Sequence, residues 1–559
     1  MTFTEIKERG EKKYYYRSRS VRKGEKIEKE RVYLGVNIGK KELAELEQNA
    51  DKKLAGKTEK ETKIEDKTKD KTEKKSKEKN ELKLEKNELG ITADKDELSE
   101  WYVQILQKAE LIDYSNVSGC YIIRPRAYAI WEQVQKYFDS KIKKDGVKNC
   151  YFPLLIPESL LMKEKQHVKG FSPEVAWVTH TGDTKLAEKL AIRPTSETAM
   201  YTAYSKWIRS WRDLPLRLNQ WNNVVRWEFK HPVPFIRSRE FLWQEGHSVF
   251  ATKEEADKEA SKILDFYADI YKDVYAIPVI KGMKSEKEKF AGADYTLTTE
   301  VFLPSGKSAQ GATSHHLGQN FAKAFDIKFK DKDEKEKFAF QNSWGISTRS
   351  IGIAIMMHSD DKGLVLSPNA SDTQIVIIPI ANNEKEKKVV ISECEKIKCE
   401  LSGFRVELDN RDSSPGFKFN DWEMKGVPLR VEIGPRDLKN KSVVFVRRDT
   451  GNKENIKISE IEKKACQVLE DIHNSLYKKA ENYLKENTVF INNMPELLEA
   501  VKNKKLVKAE WCNSEKCEDG IKDKTQGAKV ICITKDKAKG KCVYCGKKAE
   551  HVVYIAKSY

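Results

Sequence analysis

The span RWEFKHPVPFIRSREFLWQEGHS, Arg226 to Ser248, sets three arginines among aromatic residues and carboxylates. Guanidiniums clustered inside a fold need a multiply charged partner, and phosphate matches their planar fork. Trp227 and Phe229 lead into the span, Phe241 and Trp243 lead out, and Pro232 and Pro234 force a loop between them. The pattern predicts strand, loop, strand: a hairpin aiming Arg226, Arg237 and Arg239 at one small volume. The competing reading is a surface hairpin of solvated charges. The aromatic residues and the two prolines argue against it.

A second chemical pattern lies near the C-terminus. Cys512 and Cys517, followed by Cys542 and Cys545, have zinc-site spacing, and four thiolates would close a tetrahedral structural centre. CVYCGK reads as a knuckle-like turn with glycine just after the second ligand. Cys532 sits in the strand-like VICIT and reads as core, while His551 could substitute for one of the four ligands. The alternative is a segment that keeps its thiols and binds no metal.

The elements that must position these groups are spread over 559 residues, enough for three or four domains at roughly 100–200 residues each. The net charge of +17 suits a polyanionic partner, nucleic acid or an anionic surface. There is no apolar run of about 18 residues, so no membrane span is expected. The N-terminus is charged rather than apolar, so no secretory signal is expected. Ten unevenly spread cysteines point to a reducing cytoplasm rather than a disulfide scaffold.

Residues 1–54 read as a small basic unit: KKYYYRSRSV and KIEKERVYLG as two strands around a turn at Lys23 and Gly24, then a short helix with Leu43, Leu46 and Leu54 on one face. Residues 55–93 are mostly a charged, low-complexity linker that cannot form a core. From Asp94 a globular pattern begins, with a first helix carrying Leu98, Trp101, Ile105 and Leu106 and with Thr92 and Asp94 as capping candidates. Strands and helices mix without simple alternation over 94–370, which predicts an antiparallel sheet with packed helices. No GxGxxG or Walker loop occurs, so nucleotide binding must use another architecture. Over 371–484, QIVIIPI, GFRVELD, VPLRVEIG and SVVFVRRD alternate with helices and predict a small α/β domain. A last domain spans 485–559.

The hairpin resembles motif 2 of the class II aminoacyl-tRNA synthetases, and in detail that of the prolyl-tRNA synthetases of archaeal and eukaryotic type. The likeness extends from about residue 94 to Tyr559. GVKNCYFPLLIPESLL (146–161) resembles motif 1 with Pro153 as its proline, and AFQNSWGISTRSIGIAIMMH (339–358) resembles motif 3 with Arg349 as its arginine. AIRPTSETAMY (191–201) is similar to the family's substrate loop, QGATSHHLGQNF (310–321) to its most particular stretch, and PGFKFNDWEMKGVPLRVEIGPRDL (415–438) to its anticodon-binding domain. Ala312 stands where the resemblance leads us to expect glycine. The fold it implies is a multidomain α+β chain: a class II antiparallel-sheet catalytic core, an α/β anticodon-binding domain, and a small zinc-binding C-terminal α/β domain. A homodimer built through motif 1 is implied as well, as is a C-terminal Tyr559 tucked back toward the catalytic domain.

The resemblance implies that L-proline and ATP form prolyl-adenylate and pyrophosphate, and that proline then passes to the 3′ end of tRNA(Pro). Catalysis falls to Arg226 and Arg349. Arg226 holds the α-phosphate and the proline carboxylate together, and Arg237 and Arg349 hold the β and γ phosphates, with Mg²⁺ between oxygens. Phe241 stacks on adenine, and Glu228, Gln310, Thr313 and Ser347 complete the nucleotide site. Proline is held by Thr195, Glu197 and His315 and walled by Trp243 and Phe171. A hydroxyl and a carboxylate suit the two donors of a secondary ammonium. Thr195 and Glu197 could instead cap a helix, and a histidine such as His315 could be a satisfied core residue. Glu423, Arg430 and Lys453 are the anticodon candidates, with surface charge as their alternative reading. The carboxylate of proline is already ionised, so no protein general base is needed. Only about 60 residues separate Ser248 from Gln310, too few for an inserted editing domain.

Two alternatives stay open: another class IIa synthetase, such as the threonyl enzyme with its catalytic zinc, or a non-catalytic synthetase-like RNA-binding protein. Residues 1–54, which the resemblance does not cover, read as an auxiliary RNA contact or as a solvated hairpin with no partner.

Overall fold

The computed structural model describes residues 2–9, 12–23, 26–36, 43, 46, 47, 50, 51, 90–95, 97–167 and 174–559. Residues 1–86 and 87–559 form two compact units. The first holds a three-stranded antiparallel sheet, Thr2–Arg9, Lys12–Lys23 and Lys26–Val36, one strand more than the two expected. Leu43 and Leu46 are helical and half-buried there. Leu54 and almost all of the charged linker lie outside the described residues.

The second unit is built on one mixed sheet of eleven strands. Its centre is antiparallel, in the spatial order Ile280–Met283, Tyr295–Phe302, Lys307–Gly318, Phe340–Ser347, Glu240–Phe250, Leu216–Val225. Period-two patterning explains these strands, because one face must cover helices while the other carries polar residues. The helices Leu98–Lys108, Pro125–Lys144, Lys253–Asp269 and Arg349–His358 bring Trp101, Trp131, Phe138, Tyr267 and Ile351 into one apolar core. In Arg349–His358 every residue after the arginine is buried, so this helix is both a core element and the mount for one arginine. The first helix is not capped as expected. Glu97 is its N-cap without a side-chain bond, and Thr92 is engaged with Gln104 instead.

The C-terminal stretch does not stand apart from this sheet. Its strands Thr488–Ile491, Leu506–Trp511, His551–Ser558 and Ala528–Lys537 continue the catalytic sheet through a pairing of Met283 with Ile533. Its last strand also pairs in parallel with Lys307 and Ser308, and Tyr559 N donates to Ser308 O at 3.1 Å. The terminus thus returns to the catalytic strands, and the Tyr559 ring packs against their core. Between these parts lies a five-stranded α/β sheet, 406–408, 375–379, 429–433, 442–447, 453–457, with its first three strands parallel. Ile375–Pro379 is buried throughout, as expected for a central strand covered on both faces.

Candidate active site

A cavity of about 270 Å³ opens on the polar face of the central sheet. Cross-strand register builds it. His247 pairs with Ser343, Ser343 with His315, and His315 with Thr296, one row across four strands. Glu245 pairs with Gly345, and Gly345 with Thr313. Trp243 pairs with Ser347. Side chains of alternate residues share a face, so Phe241, Trp243, Glu245 and His247 all point into the cavity.

Of the expected residues, Thr195, Glu197, Arg226, Trp243, Phe241, Gln310, Thr313, His315, Ser347 and Arg349 line this one cavity. Arg226 is anchored by Nε to Pro194 O at 2.9 Å, with its guanidinium 5.2 Å from the Trp243 ring and 5.7 Å from that of Phe241. Arg349 donates through Nε to Ile236 O at 3.0 Å. Among the described residues neither arginine has a carboxylate partner. Burial lowers the Arg349 pKa, and the neighbouring charges of Arg226 and Arg237 add to the effect. Two cations in one partly closed cavity are a standing demand for an anion.

Other expected residues fall elsewhere. Glu228 and Arg237 are exposed on the hairpin loop outside the cavity lining, with Arg237 close enough to act on Arg349. Arg239 is not aimed at this volume. It stacks on Trp227 at 4.5 Å and donates to Phe229 O and Ser118 O, closing the hairpin base. Phe171 lies outside the described residues.

The substrate loop is held from below. Thr195 and Glu197 are buried and hydrogen-bonded to each other. The helix Glu197–Trp207 takes Ser196 as N-cap without a side-chain cap, so capping does not explain Thr195 or Glu197. Ser196 is fixed by Glu245, whose carboxylate also accepts from Gln220 and Asn222 and faces His247 at 3.1 Å. Burial opposes the Glu245 charge, but His247, Ser196 and Asn222 override it and hold its carboxyl down at about 2. Glu197, Glu245 and His247 lie close enough to share a cation. The oxygens of Glu245 are already taken by these bonds, which makes it a scaffold.

His315 lies between two hydroxyls, Thr296 Oγ1 at 2.9 Å from Nδ1 and Thr313 Oγ1 at 3.0 Å from Nε2. Burial, reinforced by the charges of His247 and Arg226, pushes its pKa down to about 3, so the ring is neutral. His316, its neighbour, is core, bonded through Nδ1 to Asn342. Trp243 Nε1 and Ser343 Oγ are buried without a hydrogen-bond partner among the described residues. The sequence reading missed Glu245, His247, Phe290, Thr296 and Ser343. Alternation from Phe241 onward marks the first two, whereas no local pattern marks the others.

Two further sites stand apart. Glu423, Arg430 and Lys453 surround a pocket of about 210 Å³ in the α/β domain with Trp422 and Lys362. Glu423 pairs with Lys362, while Arg430 and Lys453 share Glu432. In the C-terminal part, the sulfurs of Cys512, Cys517, Cys542 and Cys545 all lie within 4.8 Å of one another. Cys512 Sγ is 3.5 Å from Cys517 Sγ and 3.7 Å from Cys545 Sγ. Tetrahedral zinc with bonds of about 2.3 Å separates its sulfurs by roughly 3.8 Å, so these residues fit the ion. A backbone hydrogen bond from Lys547 helps hold the Cys545 thiol down at about 7. His551 pairs with Trp511 in a strand and is not in the cluster, and Cys532 is core.

Three family models match the chain: the class II core domain of tRNA synthetases (G, H, P, S and T) over 178–358, the anticodon-binding domain over 374–467, and the C-terminal domain of prolyl-tRNA synthetases over 494–559. The last match decides against the threonyl alternative. The cytoplasmic proline–tRNA ligase of Arabidopsis thaliana is 50% identical, over 84% of this chain and 91% of its own. The proline–tRNA ligase of Natranaerobius thermophilus is 48% identical, over 82% and 95%. The bifunctional glutamate/proline–tRNA ligase of Cricetulus griseus is 52% identical over 80% of this chain, which spans about a third of that longer protein. The crystal structure of the Cryptosporidium parvum prolyl-tRNA synthetase, complexed with halofuginone and AMPPNP, superposes with a TM-score of 0.81 at 47% identity, covering 84% of this chain and 100% of that one.

Proposed function

The chain belongs to the prolyl-tRNA synthetases, and from that membership we propose that it activates L-proline with ATP and transfers it to tRNA(Pro). The observation that carries this reading is the convergence on one cavity of two arginines that have no carboxylate partner among the described residues, the Thr195–Glu197 pair and neutral His315.

In the first step the proline carboxylate attacks the α-phosphorus of ATP and pyrophosphate leaves. An anion approaches a polyanion, so alignment and charge neutralisation are the whole task. Arg226 receives both the carboxylate and the α-phosphate. Arg349, with Arg237 from the loop, takes the outer phosphates. Phe241 stacks on adenine, and Gln310, Thr313 and Ser347 hold the nucleotide, with Glu228 joining from the loop. Mg²⁺ accompanying ATP supplies further neutralisation at the phosphate oxygens. The secondary ammonium donates to Glu197 and Thr195, and the pyrrolidine ring lies between Trp243 and the Phe290–His315 pair. In the second step a terminal ribose hydroxyl of the tRNA attacks the carbonyl of the adenylate.

Glu423, Arg430 and Lys453 are proposed to read the anticodon, and the four cysteines to hold a structural zinc. A homodimer through residues 146–161 is supported by the exposed Tyr151 and Leu155. An RNA contact by residues 1–54 is supported by the exposed rings of Phe3 and Tyr33 on the N-terminal sheet. No helix among the described residues is long and apolar enough to cross a membrane. From the likeness to the cytoplasmic Arabidopsis thaliana enzyme we place this one in the cytoplasm. The test is ATP–pyrophosphate exchange. It is expected to depend on proline among the standard amino acids; exchange indifferent to proline would sink the reading.

A further inference from the structure

The loop 284–290 is the first part of the connection from the strand Ile280–Met283 to the strand Tyr295–Phe302 and contributes Glu288 and Phe290 to the cavity wall. Its backbone is tied to the catalytic sheet: Lys284 N donates to Thr296 O at 2.8 Å and Phe290 N to Thr296 Oγ1 at 2.9 Å. Several of its side chains also reach the C-terminal part, although Lys284 Nζ additionally pairs with Glu300 Oε1 of the catalytic sheet at 2.6 Å. Lys284 Nζ donates to Ile531 O at 2.7 Å, and Ser285 Oγ to Glu518 Oε1 at 3.0 Å. Lys287 pairs with Asp519, and Glu288 with Lys529. Ser285 and Glu518 are 1% and 2% exposed, so this contact is dry. At the base of the loop a Cβ on Gly282 would lie 2.7 Å from Ile533 O, so the two backbones are pressed together.

We propose that Glu518, Asp519 and Lys529 are positioning residues for the proline pocket. They clamp the loop 284–290 so that Phe290 stays against His315. The inference rests on reading this cavity as the proline site. A loop held only by its own backbone ends would sample several positions of Phe290, and each would have to be abandoned when the ring binds. The phosphate arginines sit on other elements, Arg226 beyond the strand Leu216–Val225 and Arg349 on its buried helix. Loosening the clamp therefore weakens proline and spares ATP.

The full chain carrying Lys529→Ala, Lys529→Arg, Lys287→Asp, Asp519→Lys, or the last two together tests this. Pyrophosphate exchange is measured against proline and against ATP, and amide hydrogen exchange is followed over 284–290. Lys529→Ala and each single reversal should raise the KM for proline about 5–10-fold, with kcat and the KM for ATP within about twofold. Lys529→Arg and the double reversal should restore it, and the loop amides should exchange faster only in the weakened variants. Parallel changes in both KM values, or unaltered loop exchange in Lys529→Ala, would overturn the clamp. Loss of proline dependence in the unaltered enzyme would overturn the substrate reading, and the hydrogen-exchange comparison would still judge the clamp.

Discussion

The ring of Phe290 lies against the imidazole of His315, with centroids 4.6 Å apart and planes tilted by 35°. Burial of this ring, with the charges of His247 and Arg226 adding to it, disfavours a charged imidazole. His315 titrates near 3 in the fold against an ordinary 6.5. Between those values the unfolded chain holds a proton that the folded chain does not. This group therefore makes stability rise with pH through that window and contributes nothing to pH dependence above it. We expect the melting temperature of His315→Asn to fall less on acidification from pH 6.5 than that of the unaltered protein. The KM for proline should show no inflection near pH 6.5 from this group. An unchanged acid slope in the variant would place the titration elsewhere.

Arg226 is the only residue assigned both reacting partners, so its loss should remove alignment as well as charge. Arg226→Ala is expected to lower proline-dependent pyrophosphate exchange by about 10²–10³. Arg226→Lys should recover little, because an ammonium lacks the planar fork that can bind two anions side by side. Near-normal exchange in Arg226→Ala would refute the role.

Much of this site is legible in the chain because it is local. Arg226, Phe241 and Trp243 stand in one hairpin, and the period of a strand tells which of them share a face. Glu245 and His247 belong to the same alternation but read as ordinary hairpin charges, since only the fold brings Ser196 and Gln220 to them. Arg239 is misplaced by the same local reasoning. Its direction is set by Trp227 and by the backbone at Ser118, over a hundred residues upstream. Phe290 and Glu288 lie in a stretch without any motif, and their place depends on a C-terminal segment whose strands are recognisable by pattern but whose pairing partner is not. Residue types and spacing specify chemistry and elements; long-range register decides which of them meet.

The four cysteines come from three elements. Cys512 follows the strand Leu506–Trp511, Cys517 lies on the helix Glu515–Lys524, and Cys542 and Cys545 occupy the turn before His551–Ser558. A metal there would fasten these elements together at the edge of the C-terminal core, to which Cys517, Cys542 and Val543 belong. Elemental analysis should find one zinc per chain. Cys542→Ser should release it and lower the melting temperature by more than about 5 °C. Zinc-free protein of unchanged stability would show that the thiols serve no metal.

Glu423, Arg430 and Lys453 approach one pocket from separate elements: the helix Pro415–Met424 and the strands Leu429–Ile433 and Lys453–Lys457. A carboxylate can accept the ring N–H and amino group of guanine, and a guanidinium can donate to its other edge. Glu423→Gln and Arg430→Ala should each raise the KM for tRNA(Pro) about tenfold while leaving pyrophosphate exchange unchanged, because neither residue touches the catalytic cavity. Combined, they should cost less than the product of the single effects, since one nucleotide would lose contacts it can no longer use. Lys453 is exposed and suits a phosphate, so Lys453→Ala should weaken binding mildly and flatten its salt dependence by about one unit of slope. If the two substitutions are strictly multiplicative, or if exchange falls with them, the pocket does not read a single base.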